Sequence, residues 1–225
     1  DETGIKLIAT DNSHNVLIHM KLKAENFDYY ECKQKVTIGV NMTNMYKLIK
    51  TMSNSETLTL FIDKLYPNQL GIQMNNNDKN TKTTYKLNLL DIADEEINIP
   101  PASFETELTL PSSDFQKLVR DMTNIGEHVE VKSVGSTLMF NCNGDFASQE
   151  TTLGETQNGL QFSQSSAPET PIQGIFSLKY LLLFTKCTNM CNQIHMYIKN
   201  DYPLVIKYAV ANLGDIKLCL APNVE

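Results

Sequence analysis

A repeated order of elements constrains this chain more than any single motif. Strand, amphipathic helix and then several alternating strands occur at least three times, with helices about 70 residues apart when Lys47 is set against Lys117. The first helix is expected over Asn41 to Met52, where Met42, Met45, Leu48, Ile49 and Met52 recur at helical spacing behind Asn41 as N-cap. The second opens at Pro111-Ser112-Ser113 and runs to Met122, burying Phe115, Leu118 and Val119. The third is expected over Ser177 to Thr188.

Runs of alternating and β-branched residues supply the strands. In the first half these are Thr10 to Ala24, with Val16, Ile18, Met20 and Leu22 on one face, then Val36 to Val40, Glu56 to Asp63, Leu70 to Met74 and Thr81 to Leu87. In the second half they are Glu105 to Leu110, Glu127 to Ser133, Thr137 to Cys142 and Gly159 to Ser163. Gln173 to Phe176, Gln193 to Lys199, Pro203 to Val210 and Asp215 to Leu220 complete the set.

Between the halves lies Leu89 to Phe104, which carries Asp91, Asp94, Glu95 and Glu96 and then Pro100-Pro101. The prolines bar a helix or central strand, and the apolar residues fit neither period, so this is an extended acidic connector. The division is therefore residues 1–88, a connector over 89–105 and residues 106–225. The second part is the longer by about one strand–helix–strand unit. The first is accordingly expected to lack an opening strand and helix.

Composition narrows the function classes. The chain is 41% hydrophobic and 20% charged, the profile of an ordinary globular protein with room for a sizeable core. It opens at Asp1-Glu2-Thr3-Gly4; no secretory leader is expected, and no apolar run approaches the roughly 20 residues that span a bilayer, so no membrane partner is expected either. Five cysteines, an odd number with no C-x-x-C pair, favour reduced thiols in a cytosolic or nuclear compartment. His14, His19, His128 and His195 have no metal-ligand spacing, and no nucleophile elbow, phosphate loop or dinucleotide fingerprint occurs. Neither an enzyme nor a metal or other cofactor is expected.

The net charge of −7 argues against a surface that holds nucleic acid all over. Yet each helix carries cations: Lys47 and Lys50, Lys117 and Arg120, Lys179 and Lys186. The first two pairs are spaced by three, so each shares a helix face away from the apolar stripe. One such face is ordinary solvation; three in an acidic chain point to a phosphate-facing surface. No base-reading pattern or interleaved aromatic accompanies it, which suits binding independent of sequence.

Many short segments then resemble one family. Asp11-Asn12-Ser13-His14, Phe27-Asp28-Tyr29-Tyr30-Glu31-Cys32, Gly39-Val40-Asn41-Met42-Thr43, Tyr85-Lys86-Leu87, Asn98-Ile99-Pro100, Ile125-Gly126, Phe184-Thr185-Lys186, Pro203-Leu204-Val205 and Leu220-Ala221-Pro222 are similar to the eukaryotic DNA sliding clamps. The resemblance implies an α+β fold of two similar clamp domains, with antiparallel sheets outside and helices on the inner face. It implies a homotrimeric ring around double-stranded DNA in the nucleus, with the six helix cations lining the hole. Subunits would join by strand addition, Thr81, Thr83 and Tyr85 of one chain meeting Leu160, Phe162 and Gln164 of the next.

The resemblance also implies that replicative DNA polymerase, clamp loader, flap endonuclease and DNA ligase dock a peptide with an aromatic–aliphatic plug. Its pocket would comprise Leu17, Ile97, Ile99, Pro100, Phe104, Pro203, Ala221 and Pro222, with Thr10 and His14 on the wall and Cys219 in its floor. Cys219 stands where the family has an aromatic residue and Thr10 where it has methionine, which leaves the pocket wider or more polar. Gly135 stands where the family has a ubiquitin-accepting lysine, with Lys132 nearby. The alternative within this fold is a subunit of a heterotrimeric DNA-damage checkpoint clamp. The intact Asn98-Ile99-Pro100 and Leu220-Ala221-Pro222 segments favour the replicative type.

Overall fold

A computed structural model describes residues 1–92, 102–165, 167 and 170–223. The early elements are β1 (Gly4–Thr10), β2 (Val16–Lys23), α1 (Met42–Ile49), β3 (Glu56–Ile62), β4 (Gln69–Asn76), β5 (Thr81–Asn88) and β6 (Thr106–Pro111). They are followed by α2 (Ser112–Thr123), β7 (His128–Val134), β8 (Thr137–Asn143), β9 (Ser148–Gly154), β10 (Gln161–Gln164) and β11 (Ile172–Ser177). Then come α3 (Leu178–Phe184), a 3-10 turn over Thr185–Met190, β12 (Gln193–Ile198), β13 (Leu204–Val210) and β14 (Gly214–Leu220). Two compact units result, Asp1–Gln34 with Asn98–Glu225, and Lys35–Ile97.

The larger unit is built on a seven-stranded sheet in the order β1-β2-β14-β13-β12-β6-β10 and a four-stranded sheet in the order β11-β7-β8-β9. Strict alternation explains both. In β6 Thr106, Leu108 and Leu110 turn inward, in β7 Val129 and Val131, and in β8 Leu138, Phe140 and Cys142. Helix α2 closes this core with Phe115, Leu118, Val119 and Met122, the 3–4 spacing that keeps one stripe inward. No side chain of Pro111 can cap α2. Instead Ser112 Oγ donates to the carbonyls of Cys191 (2.5 Å) and Thr188 (3.2 Å), fastening the helix start to the end of the 3-10 turn.

The smaller unit is a three-stranded sheet, β3-β4-β5, under one helix. Asn41 caps α1 as expected, its side chain accepting from Asn44 N at 3.0 Å. Met45, Leu48, Ile49 and Met52 lie half-buried on Leu70, Ile72 and Met74, but Met42 is 57% exposed. The helix packs toward β5, so Leu58, Leu60 and Ile62 of β3 stay open to solvent. On β4, Gly71 faces the Phe61 ring, which a Cβ would approach to 2.4 Å.

The structure departs from the sequence reading in four places. The expected strand Thr10 to Ala24 is a hairpin, because Asp11 to Asn15 form a turn between β1 and β2, with His14 at φ 56°. Val36 to Val40 form no strand and contribute one bridge, Gly39 with Leu90. Strand β9 was not expected from Ser148–Gly154, where of the alternate half-buried residues Gln149, Thr151 and Leu153 only Leu153 is apolar. The third helix tightens at Thr185 into its 3-10 turn. The chain also pairs across the sequence division: β2 runs antiparallel to β14, Leu17 opposite Cys219, which brings residues 1–34 into the larger unit.

Candidate functional site

The six helix cations are all exposed. On α1, which holds no carboxylate, Lys47 lies in the last turn and Lys50 is the C-cap, its N–H donating to Tyr46 O at 2.9 Å. On α2, Lys117 and Arg120 share the face opposite Phe115 and Met122, flanked by exposed Asp114 and Asp121. Lys179 lies in the first turn of α3, its ammonium 5.8 Å from the Tyr180 ring, and Lys186 falls on the 3-10 turn instead of on α3. Gln116 Nε2 donates to Thr185 O at 3.1 Å, so α2 and the turn bearing Lys186 are linked directly.

The expected subunit contacts fall on sheet edges. β5 pairs with β4 alone, and β10 with β6 alone, leaving one side of each strand without a partner among the described residues. Thr81 and Thr83 are exposed and Tyr85 half-buried on the first; Phe162 and Gln164 lie on the second. Leu160 sits just before β10 and is buried. A bulge separates Phe162 from Gln164, and the Phe162 N–H donates to the Glu155 side chain (Oε1, 2.9 Å).

Of the expected pocket, Ile97, Ile99 and Pro100 lie outside the described residues, as do Asp94, Glu95 and Glu96 of the connector. The rest converges on the outward face of the seven-stranded sheet. Thr10 opposes Leu17, Leu17 opposes Cys219, Cys219 opposes Val205, and Val205 opposes Tyr197, one transverse row across five strands. Residues of the intervening rows, Leu218, Leu220, Ile206 and Met196, are buried in the core, so this row faces away from it. Phe104 packs against Tyr197 at a tilt and edge-on to Tyr202, with ring centroids 5.4 and 5.6 Å away. Pro203 precedes β13, and Ala221, whose N–H donates to Asn15 O at 2.8 Å, is followed by Pro222 at the end of β14. Burial pushes the Cys219 thiol up to about 11, so the floor of the row is neutral at physiological pH.

His14 stands exposed at the tip of the β1–β2 hairpin. The sequence reading missed what fixes that tip. The Asp11 carboxylate accepts from Ser13 Oγ, from Val16 N at 2.9 Å and from Tyr180 OH at 3.2 Å, tying the hairpin to α3. Those hydrogen bonds, Ser13 first, hold its pKa down to about 2. The Asp-x-Ser turn signal is local and readable; the Tyr180 contact spans 169 positions and is not. Gly135 turns β7 into β8 at φ 55°, a left-handed conformation that a lysine would strain, and Lys132 on β7 is half-buried.

Known proteins match over nearly the whole length of the chain. Family models described as proliferating cell nuclear antigen, N-terminal domain, and proliferating cell nuclear antigen, C-terminal domain, match residues 1–96 and 98–223. The chain is 34% identical over 224 residues to the probable DNA polymerase sliding clamp 1 of Paramecium bursaria Chlorella virus 1, covering 98% of this chain and 84% of that protein. It is 30% identical over 226 residues to the proliferating cell nuclear antigen of Chaetomium thermophilum, covering 100% and 87%. A probable DNA polymerase sliding clamp of Acanthamoeba polyphaga mimivirus is 30% identical over 222 residues, 97% of this chain and 47% of that protein.

Proposed function

The chain belongs to the proliferating cell nuclear antigen family of DNA sliding clamps, and from that premise we propose that three copies close a ring around duplex DNA in the nucleus. In this reading β5 of one copy adds to β10 of the next, and the exposed cations of α1, α2, α3 and the 3-10 turn face the phosphates. The mechanism is topological. A closed ring stays on its template without tight contact, so a few cations bind weakly enough for sliding to remain cheap. The polymerase, loader, flap endonuclease and ligase hold to the ring by a peptide plug in the row formed by Thr10, Leu17 and Cys219. The protein then acts as a scaffold, with chemistry supplied by its partners.

The observation that carries this reading is the pairing, in each unit, of an exposed cationic helix face with a free sheet edge. Replacement of Lys47, Lys117 and Lys186 by glutamate tests the cationic half of it. Primer extension on a long template should lose processivity by about tenfold at low salt, while circular dichroism stays unchanged. Processivity equal to that of the unmodified protein would remove these residues from the DNA-facing surface.

A further inference from the structure

Beside the pocket row, the same outward face of the seven-stranded sheet carries a second one, two residues along each strand. His19 of β2 opposes Lys217 of β14, Lys217 opposes Lys207 of β13, and Lys207 opposes His195 of β12. Lys21, two residues beyond His19, opposes Lys6 of β1 on one side and Asp215 on the other. Directly opposed residues in antiparallel strands share a face and lie close, so like charges there destabilise the sheet. Lys217 and Lys207 are such a pair. Among the described residues, the ion pairs involve Lys6, Lys23 and Lys33; Lys21, Lys207 and Lys217 have no carboxylate partner, and the Lys207 ammonium lies 5.9 Å from the Tyr197 ring. The carboxylates that face the row are Glu107, beyond its β12 end, and Asp215, which lies two residues from Lys217 on β14 and opposite Lys21. The chain as a whole is acidic, so this is a local reversal of sign.

We propose that this row receives an acidic flank of the same partner peptide whose plug fills the neighbouring pocket row. The proposal rests on the pocket reading and adds to it the chemistry of the partner. The geometry fits a short segment: the rows are about 7 Å apart along the strands, and the four strands from β2 to β12 span about 15 Å. An extended chain covers that with about four or five residues. A protein segment suits the row better than nucleic acid does. The row lies on the sheet face opposite α2 and α3, whose apolar sides pack with Ile206, Tyr208 and Leu218 in the core, and it continues the apolar row of the pocket.

Fluorescence anisotropy with synthetic peptides tests this directly. One peptide carries an aromatic–aliphatic plug with a flank of four or five Asp and Glu residues, placed on either side; the other has the same plug with a Ser/Gly flank. The acidic peptide should bind the unmodified protein about tenfold more tightly at low salt, and the advantage should fade as salt rises. In the Lys207→Glu/Lys217→Glu double variant the advantage should vanish while the Ser/Gly peptide binds as before. Should that variant misfold and lose both peptides, Lys207→Ser/Lys217→Ser provides the same comparison. Equal affinity of the two peptides for the unmodified protein would overturn the acidic flank and leave the pocket standing. Binding of neither peptide would overturn the pocket, and the flank with it. Competition by a duplex oligonucleotide, weakened by the same double variant, would assign the row to nucleic acid and overturn the peptide.

Discussion

Tyr208 sits at the centre of the larger core, its ring fully buried and its hydroxyl without a hydrogen-bond partner among the described residues. A buried unpaired hydroxyl costs about 1–3 kcal/mol, and burial drives its pKa above the ordinary tyrosine range. Tyr208→Phe should therefore raise the melting temperature; a fall would show that the hydroxyl is satisfied in solution. His19 and His195 make a second prediction. Both are held below the ordinary histidine pKa, first by burial, then by Lys217 beside His19 and Lys207 beside His195. Lys21 and Lys6 add to the effect on His19, while Asp215 opposes it; Glu107 opposes it at His195. The folded chain thus binds these protons less tightly than the unfolded one, and stability falls as pH drops through about 6.5. The double variant His19→Gln/His195→Gln should lose less melting temperature between pH 7.5 and 5.5 than the unmodified protein. An identical loss would mean that neither histidine is shifted. The sequence could name these histidines but not place His19 opposite Lys217, because that register is settled by a pairing some 200 positions apart.

Elements were legible where amphipathic period and cap chemistry agreed. Asn41 with Met45, Leu48 and Ile49 marked α1, which ends three residues before the expected Met52, and Phe115 with Leu118 and Val119 marked α2 to within a residue of its observed bounds. They were not legible where pairing alone makes the strand. Ser148–Gly154 has no apolar alternation and forms β9 because β8 offers it a ladder, whereas Val36 to Val40 has the composition of a strand and finds one bridge. The cap gives the prediction at this scale. Asn41→Ala removes the acceptor of the Asn44 amide and should cost about 1 kcal/mol, with faster hydrogen exchange at Asn44 and along α1. Unchanged exchange would show that packing on Leu70 and Ile72 alone holds the helix.

At the scale of the molecule, repetition of strand, helix and strands revealed versions of one plan, and resemblance to a family implied that the plan is a clamp. The sequence division at the connector hid one feature of it. The hairpin of residues 4–23 belongs by hydrogen bonding to the sheet of the second half, and the expected pocket draws on both ends of the chain for that reason. Thr10 and Leu17 near the start meet Cys219 near the end on one row, a juxtaposition that resemblance implied and local pattern could not. The central claim is that the free edges of β5 and β10 pair between copies and close a ring of three. Sedimentation equilibrium over a range of concentrations tests it most directly. A mass of three times 25.4 kDa is the predicted result, and a single-chain mass at every concentration would contradict it.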